Sequence, residues 1–349
     1  MKIMKKFVGV LIITCILAAQ SLHAQTTAAT ATQQQQNFQQ SMESQKPLIS
    51  LRPGTNAPEI YQGENTDIGE QHILRVLPRR TLFLLSLDSQ YLYINNALLT
   101  QHPYVGTTEF VNTIVAAVAP TPFRFGPGRF APEVGYTGQW YDYGLGGNSK
   151  LADGVTPINT TDFNVQSAFA GGKYYFPDNW IAFGQVNYNW FFSQDNLGNG
   201  PMFYEELVPG AGIEHLTQVG DDAVFVLAAS GDWHQSWQKN QTATQPSDAQ
   251  NRADGLLSLS FAWAVIPSKL VVQPYYRFQY TYYPLDSSGH AVRQDFLNSF
   301  GVSAAWFFTP DLSVRVFVND DAKQIESDNN APEYHDWNTG VDLSYNFRF

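Results

Sequence analysis

Strict alternation of apolar and polar residues marks the carboxyl-terminal segment of this chain. Val341, Leu343, Tyr345, Phe347 and Phe349 would share one face of an extended strand, and the residues between them are polar. Successive side chains of a strand point to opposite faces, so the segment has one apolar face and one polar face. A strand of this kind, with aromatic residues near its end, is typical of a wall between lipid and a polar lumen. We therefore predict an all-β transmembrane barrel.

The connections between the alternating segments are short and long in turn. The short connections at 177–179, 267–269 and 310–311 begin with Pro, which ends a strand because it fixes φ and lacks a hydrogen-bond donor. Short turns on one side and longer loops on the other are typical of an antiparallel up-and-down membrane barrel. The pattern predicts twelve strands, with ten or fourteen as alternatives, at 80–95, 107–118, 130–143, 162–176, 179–192, 202–218, 222–237, 253–265, 269–283, 294–308, 311–319 and 336–349.

Two segments precede the predicted barrel of residues 80–349. Residues 1–24 combine lysines, a short apolar run and a small residue at Ala24, which is the pattern of a secretory signal peptide. Residues 25–79 are rich in Thr, Gln, Pro and Gly without any period. We interpret them as a disordered, low-complexity periplasmic extension, with a plug inside the lumen as the alternative. An even strand number predicts that both termini are periplasmic.

Residues 341–349 also resemble the carboxyl-terminal signature of bacterial outer-membrane β-barrel proteins, which end in Phe with an apolar residue at every second position. The resemblance covers about 80–349 and indicates no particular transporter. It implies the outer membrane of a Gram-negative cell envelope, lipid around the barrel, and a barrel-assembly machinery that reads this segment. The alternative is a soluble antiparallel sandwich, in which the apolar strand faces would form a core.

Charge and residue spacing exclude several classes of partner. The formal net charge is −11, and a chain this acidic binds nucleic acid poorly because phosphate contacts require clustered Lys and Arg. The histidines after residue 24 are scattered rather than spaced as metal ligands, and no cofactor-binding motif occurs. We therefore expect no cofactor, no metal and no nucleic acid, whereas the sequence leaves the oligomeric state open.

Polar residues on the inward parity of the strands predict the lining of the lumen. Charges of both signs can form a track for small solutes, since pore selectivity follows from charged rings and lining groups. They can instead pair with one another and brace a filled barrel, and the sequence does not separate these alternatives. The predicted lining residues are Asp88, Glu133, Asn187, Asn189, Gln273, Arg277, Gln279, Arg315, Asp342 and Arg348.

One group of residues could carry chemistry. His234 and Ser236 share a strand face with Asp232, so an imidazole, a hydroxyl and a carboxylate could form a nucleophile and base. The pair resembles the His-x-Ser element of outer-membrane lipid hydrolases, in which Asn commonly follows the Ser, but Trp237 follows here. Trp233 and Trp237 fit a lipid-facing girdle, which would turn the pair inward as lumen lining. We therefore expect no enzyme.

Three functional hypotheses follow from the sequence. The first is a passive channel for small hydrophilic solutes through an outer-membrane barrel. The second is a structural or accessory barrel of an envelope export or assembly system. The third is the lipid hydrolase that would use His234 and Ser236. Charge and lining chemistry alone do not name a solute.

Overall fold

The computed structural model describes residues 82–99, 105–145, 149–151, 154–193, 200–238, 250–284, 293–326 and 333–348. They form one antiparallel sheet that closes on itself. The predicted signal peptide and extension, residues 1–79, lie outside these ranges, as does Phe349, so those interpretations stay predictions. Within the described ranges, no helix has the length and apolar character needed to cross a membrane.

Twelve long strands and one short strand make up the sheet. They are β1 (Phe83–Ile94), β2 (Thr107–Val118), β3 (Phe123–Phe125), β4 (Gly128–Tyr143), β5 (Phe163–Tyr175), β6 (Trp180–Ser193), β7 (Met202–Val219), β8 (Ala223–Gln238), β9 (Arg252–Ile266), β10 (Leu270–Tyr283), β11 (Arg293–Phe307), β12 (Leu312–Glu326) and β13 (Tyr334–Arg348). A short 3-10 helix, Ile158–Thr161, precedes β5. Neighbours in sequence pair in space, and the barrel closes where β1 pairs with β13 and β2 with β4.

The prediction of a twelve-stranded barrel is confirmed, with two local differences. The irregular segment before β4 contains β3, which pairs only with the start of β4. Strand β12 continues to Glu326, whereas the sequence predicted its end at residue 319. The polar residues Asp321 and Lys323 suggested a loop, but both are buried on the inner face of the strand. We call the end of the barrel with the short connections the turn end, and the opposite end the loop end.

The wall is apolar outside and polar inside. On β11 and β12, the outward residues Phe300 and Val316 are 58% and 49% exposed, whereas the inward Ser299 and Arg315 are buried. Large apolar side chains cover the outer face of most other strands in the same way. A soluble sandwich would bury this face against a second sheet, and the described residues form a single sheet. The barrel therefore has the surface of a protein surrounded by lipid.

Aromatic side chains mark both rims of the apolar band. Trp180 and Trp306 lie on the outer face at the turn end. At the loop end, the rings of Tyr93 and Trp337 lie 5.4 Å apart, and Trp237 packs near Tyr188 at 6.3 Å. Aromatic rings with one apolar and one wet side favour the membrane–water interface. The two rims therefore delimit the part of the barrel that crosses the membrane.

Twelve strands give a lumen of intermediate width. Adjacent strands lie about 4.8 Å apart, so twelve strands give the barrel a backbone circumference of about 58 Å. This corresponds to a diameter of about 18 Å, and the tilt of the strands makes it wider. Side chains fill the interior of barrels of roughly eight strands, whereas roughly sixteen strands leave an aqueous channel. In this barrel, the local size of the inward side chains therefore decides where the lumen is open.

Candidate functional site: the barrel lumen

One side of the lumen is filled by paired charges. We call the inner faces of β10, β11, β12, β13 and β1 the braced sector. Arg315 Nε and Nη2 donate to Asp342 Oδ2 at 2.9 and 2.8 Å, and Asp342 is 1% exposed. The hydroxyl of Ser344 lies 2.5 Å from Asp88 Oδ2 and 3.2 Å from Asp342 Oδ1, so it links two buried carboxylates. Arg315 thus supplies one positive charge beside these two carboxyl groups.

A second ionic group lies in the braced sector near the loop end. Arg293 donates from Nε and Nη2 to the two carboxylate oxygens of Asp295, at 2.7 and 2.6 Å. The ammonium nitrogen of Lys323 lies 2.8 Å from Asp295 Oδ2. Adjacent strands β11 and β12 supply these groups, and Lys323, opposite Leu297 in the register, reaches Asp295 diagonally. The two cations and one carboxylate therefore form one ionic group on the inner wall.

Arg277 differs from the other arginines of the braced sector. It is 2% exposed, and its Nε and Nη1 atoms make no hydrogen bond. Its guanidinium lies over the ring of Tyr275, 5.1 Å from the centroid, which is a cation–π distance. Pairing across β10, β11 and β12 aligns Arg277 with Ser299 and Asp321 in one row of inward residues. Stacking on the Tyr275 ring and electrostatic attraction to the buried Asp321 therefore hold Arg277 in place.

A polar belt crosses the inner wall from β5 to β8. Ser167 Oγ donates to Asn189 Oδ1 at 2.7 Å, and Asn189 Nδ2 donates to Glu206 Oε1 at 2.9 Å. Glu206 Oε2 lies 2.9 Å from His234 Nδ1. Ser167, Asn189 and Glu206 lie opposite one another in the strand register. Glu206 lies opposite Ser236 on β8 and reaches His234 diagonally, so four strands supply one continuous chain of contacts. The sequence placed Asn189 in the lumen but did not predict this chain.

The belt continues onto β9 and β10 around His234. Its Nε2 atom lies 2.7 Å from Asp232 Oδ1 and 3.1 Å from Asp254 Oδ2. Arg252 approaches from the other edge of the ring, with Nη2 2.8 Å from Nδ1, and its Nε donates to Asp254 Oδ2 at 3.1 Å. Asp254 Oδ1 accepts a hydrogen bond from Thr281. His234 is thus surrounded by charged groups from three strands.

Accessible polar and glycine residues line part of the turn-end half of the lumen, along β4 to β8. We call this region the vestibule. The inward residues assigned to it are half-buried or exposed: Glu133, Lys173, Gln185, Asn187, Gly210, Gly212, Glu214 and Ser230. The inward apolar residues Ile181, Val224 and Val226 at the same end are buried. At Gly212, a Cβ atom would lie 2.3 Å from Cζ of Phe183 and 2.7 Å from the Ala229 carbonyl oxygen. Glycine there permits close strand packing and adds no side chain to the lumen.

An apolar cluster covers the loop end above the vestibule. Ile158, from the short helix before β5, packs with inward aromatic residues such as Tyr141 and Phe163. The rings of Tyr141 and Phe163 stack at 4.4 Å. Beside the cluster, the Tyr143 N–H donates to Asp162 Oδ1 at 2.8 Å. Burial, followed by repulsion from Asp142, raises the pKa of the Asp162 carboxyl to about 7.

The structure places the predicted lining residues in two environments. Glu133 and Asn187 border the vestibule. A second group is buried within the lumen: Asp88, Asn189, Gln273, Arg277, Gln279, Arg315 and Asp342. The backbone of Arg348 pairs with Leu84, and its side chain lies outside the described part of the chain.

Arg252, Asp254 and the group around Asp295 were not predicted from the sequence. A signal was present, because Arg252 and Arg293 each begin a strand after a long connection and are followed two residues later by Asp. Residues two apart on a strand share a face. Two Arg-x-Asp pairs at the same end of two strands therefore indicate inward ion pairs.

The residues considered for chemistry or assembly have clear positions. Ser236 is buried on the inner face, and its hydroxyl and N–H both donate to Asn251 Oδ1, at 2.9 and 2.7 Å. His234, the other residue of the His-x-Ser element, belongs to the polar belt. On β13, the predicted assembly residues with described side chains lie on the outward parity: Val341, Leu343, Tyr345 and Phe347.

The fold resembles solved outer-membrane proteins at low sequence identity. An outer membrane channel from Pseudomonas putida F1 matches with a TM-score of 0.51 and 12% identity, over 81% of this chain and all (100%) of that one. The β domain of the Bordetella autotransporter BrkA matches with a TM-score of 0.45 and 12% identity, over 76% and 100% of the two chains. The outer membrane channel DcaP of Acinetobacter baumannii gives a TM-score of 0.35 and 8% identity, over 76% and 96%.

Neither a family model nor a curated protein sequence matches the chain. At these identities, a structural likeness reports the fold and not the activity. The likeness to the P. putida channel agrees with the apolar outer wall and with the aromatic rims. The chain has the fold of an outer-membrane β-barrel.

Proposed function

We propose that the protein is an outer-membrane channel through which small hydrophilic solutes diffuse down their gradient. The observation that carries this proposal is the vestibule, where Glu133, Lys173 and Gln185 leave accessible polar wall in half of the lumen. A solute that enters the vestibule and continues toward the loop end meets the polar belt. Charged lining groups set the selectivity of such passages. The belt would therefore be the constriction of the channel.

The proposal includes an orientation. Short turns face the periplasm and long loops face the outside in outer-membrane barrels, so the turn end and both termini would be periplasmic. The vestibule would then open toward the periplasm. In this arrangement, Ser236 faces the lumen and its hydroxyl is bonded to Asn251, away from lipid substrates. The protein would supply a passage and not a catalytic centre.

A planar-bilayer recording tests the channel. Lys173→Glu reverses a charge on the vestibule wall, whereas Lys269→Glu makes the same change in the exposed turn between β9 and β10. At physiological salt the Debye length is about 8 Å, so the vestibule charge should dominate over the one at the rim. We expect measurable current from the wild type, and a larger shift of the reversal potential toward cations for Lys173→Glu. Equal shifts for the two variants would count against a path through the vestibule.

A closed structural barrel is the second candidate, and a specific observation favours it. Ile158 and the aromatic residues around it cover the loop end, and Arg277 and Arg315 are buried instead of lining open space. Such a barrel would serve an envelope export or assembly system by its surface. If the folded wild-type protein carries no current, the channel proposal is overturned and the structural barrel remains. A heat-modifiability gel on the same sample establishes that the barrel is folded.

A further inference from the structure

We propose that Asp232, His234 and Asp254 form a binding site for a divalent first-row transition-metal ion, such as Zn²⁺, in the wall of the lumen. The imidazole Nε2 atom and one oxygen from each carboxylate all lie within 4.8 Å of one another. The sequence predicts no metal site, because the histidines are scattered along the chain. The strand register supplies what sequence spacing lacks, since it places Asp232 of β8 directly opposite Asp254 of β9.

The distances within this group fit coordination by a common ion. His234 Nε2 lies 2.7 Å from Asp232 Oδ1 and 3.1 Å from Asp254 Oδ2. Ligands that bind one ion at about 2.0–2.2 Å and at right angles lie about 3 Å apart. One imidazole and two carboxylates on one side of an ion leave its remaining positions for water. Imidazole suits Zn²⁺, Fe²⁺ and Ni²⁺, and carboxylate suits Mn²⁺, so this mixed set fits the transition metals better than Ca²⁺.

The contacts of His234 Nε2 with two carboxylates also fit a cation site. Nε2 lies 2.7 Å from the buried Asp232 Oδ1 and 3.1 Å from Asp254 Oδ2, so both oxygens share at most one N–H. Buried charged acceptors that share one donor lose part of the hydrogen bonding that they have in water. A metal ion between the oxygen and the nitrogen would satisfy the lone pairs of both.

The surroundings hold His234 as a metal-binding histidine is usually held. Its Nδ1 atom lies 2.9 Å from Glu206 Oε2 and 2.8 Å from Arg252 Nη2. In the tautomer that donates the Nδ1–H to Glu206, the Nε2 lone pair is left for a metal. Asn189 and Tyr204 donate to Glu206 at 2.9 Å each, and this fixes the carboxylate. Ligating histidines commonly donate their other N–H to a carboxylate, which orients the ring and raises its basicity.

The charge balance of the buried group also favours a dication. Glu206, Asp232 and Asp254 carry three formal negative charges against one on Arg252, which gives −3 + 1 = −2 with a neutral imidazole. One proton on His234 would leave −1, whereas a divalent ion would leave zero. Arg252 Nη2 lies 2.8 Å from Nδ1 and 3.4 Å from Nε2, so the guanidinium approaches the Glu206 side of the ring. The ion would bind on the side of the ring that faces Asp232 and Asp254.

The vestibule gives an ion a route to this site. The Asp232 side chain is 32% exposed, whereas the side chains of His234 and Asp254 are 6% and 4% exposed. Asp232 pairs with Gly210, a vestibule residue without a side chain. A metal site needs an entry path as well as ligands. An ion would therefore enter from the vestibule, bind Asp232 first and then reach the two buried ligands.

Equilibrium dialysis of the refolded full-length protein tests this proposal. After removal of metal with a chelator, the protein is dialysed against Zn²⁺ or Co²⁺ and bound metal is measured by elemental analysis. We expect one tightly bound ion per chain, and visible absorption bands from bound Co²⁺. Asp232→Asn and His234→Gln should abolish this binding. Glu206→Gln, which replaces none of the proposed ligands but removes a charge that supports His234, should weaken it by about 10–100-fold.

A matched control comes from an exposed histidine and carboxylate. His335 Nε2 lies 2.8 Å from Asp320 Oδ1, with side chains 55% and 53% exposed. His335→Gln should leave the tightly bound ion in place. His234→Gln alters a buried network, so metal binding is compared only for protein that is folded by its heat-modifiability on a gel. Asp232→Asn changes a partly exposed side chain and should therefore disturb the fold less. The proposal is wrong if the folded wild type binds no more metal than Asp232→Asn, or if His335→Gln removes the same ion. Neither result depends on whether the barrel conducts.

Discussion

The braced sector faces the lumen with long charged side chains, whereas the vestibule is lined largely by glycine and short or neutral polar residues. Both belong to the same barrel, so the backbone diameter does not distinguish them. Arg315, Asp342 and Asp88 form a contiguous buried group in the first region, and Gly210 and Gly212 leave space in the second. In a barrel of this size, the inward residues therefore decide where the lumen is closed. The comparison predicts that the two regions respond differently to mutation.

The largest difference should come from breaking an ion pair in the braced sector. Arg315→Ala would leave Asp342 buried without its cation, next to the buried Asp88. Removing one partner of a buried pair costs about 3–5 kcal/mol because the remaining charge is uncompensated. Gln185→Ala, on the exposed vestibule wall, should cost about 0.5 kcal/mol or less. Urea unfolding in lipid vesicles measures both. Similar losses for the two variants would mean that the regions do not differ in this way.

A smaller loss should follow from placing a charge on the lipid-facing side. Val316→Arg puts a guanidinium on the exposed outer face of β12, and near the bilayer midplane this costs about 2–4 kcal/mol. Gln185→Arg adds the same side chain to the vestibule, where water can solvate it. It should therefore cost much less in the same unfolding experiment. If Gln185→Arg is as destabilising as Val316→Arg, the vestibule is not an aqueous space.

The smallest effect concerns pH at the loop end. The raised pKa of Asp162, about 7, means that the folded protein keeps a proton that the unfolded chain loses near its ordinary pKa of about 4. The contribution of Asp162 to stability therefore falls as pH rises from about 4 to 7. Asp162→Asn should make the unfolding free energy less dependent on pH across that window. A pH series for both proteins measures this, and an unchanged slope would contradict the assignment to Asp162.

Much of the fold could be predicted from the sequence because strand periodicity is local. Alternation assigns Val316 to lipid and Arg315 to the lumen without knowledge of any neighbour, and Pro at the short turns separates one strand from the next. The end of β12 was predicted too early for a local reason as well. The sequence shows that Asp321 is polar, but an Asp in a solvated loop is equally polar. Polarity alone does not distinguish water outside a barrel from ion pairs inside it.

The candidate metal site shows where this local reasoning ends. Asp232 and His234 lie two residues apart and share a face by alternation alone, which the sequence pattern revealed. Glu206 and Asp254 come from other strands, and a shift of one residue in register would turn either of them outward. Whether inward charges pair, bind an ion or face an open vestibule depends on distances across strands and across the lumen. Those distances are set by strand register and barrel closure, which couple residues far apart in the chain.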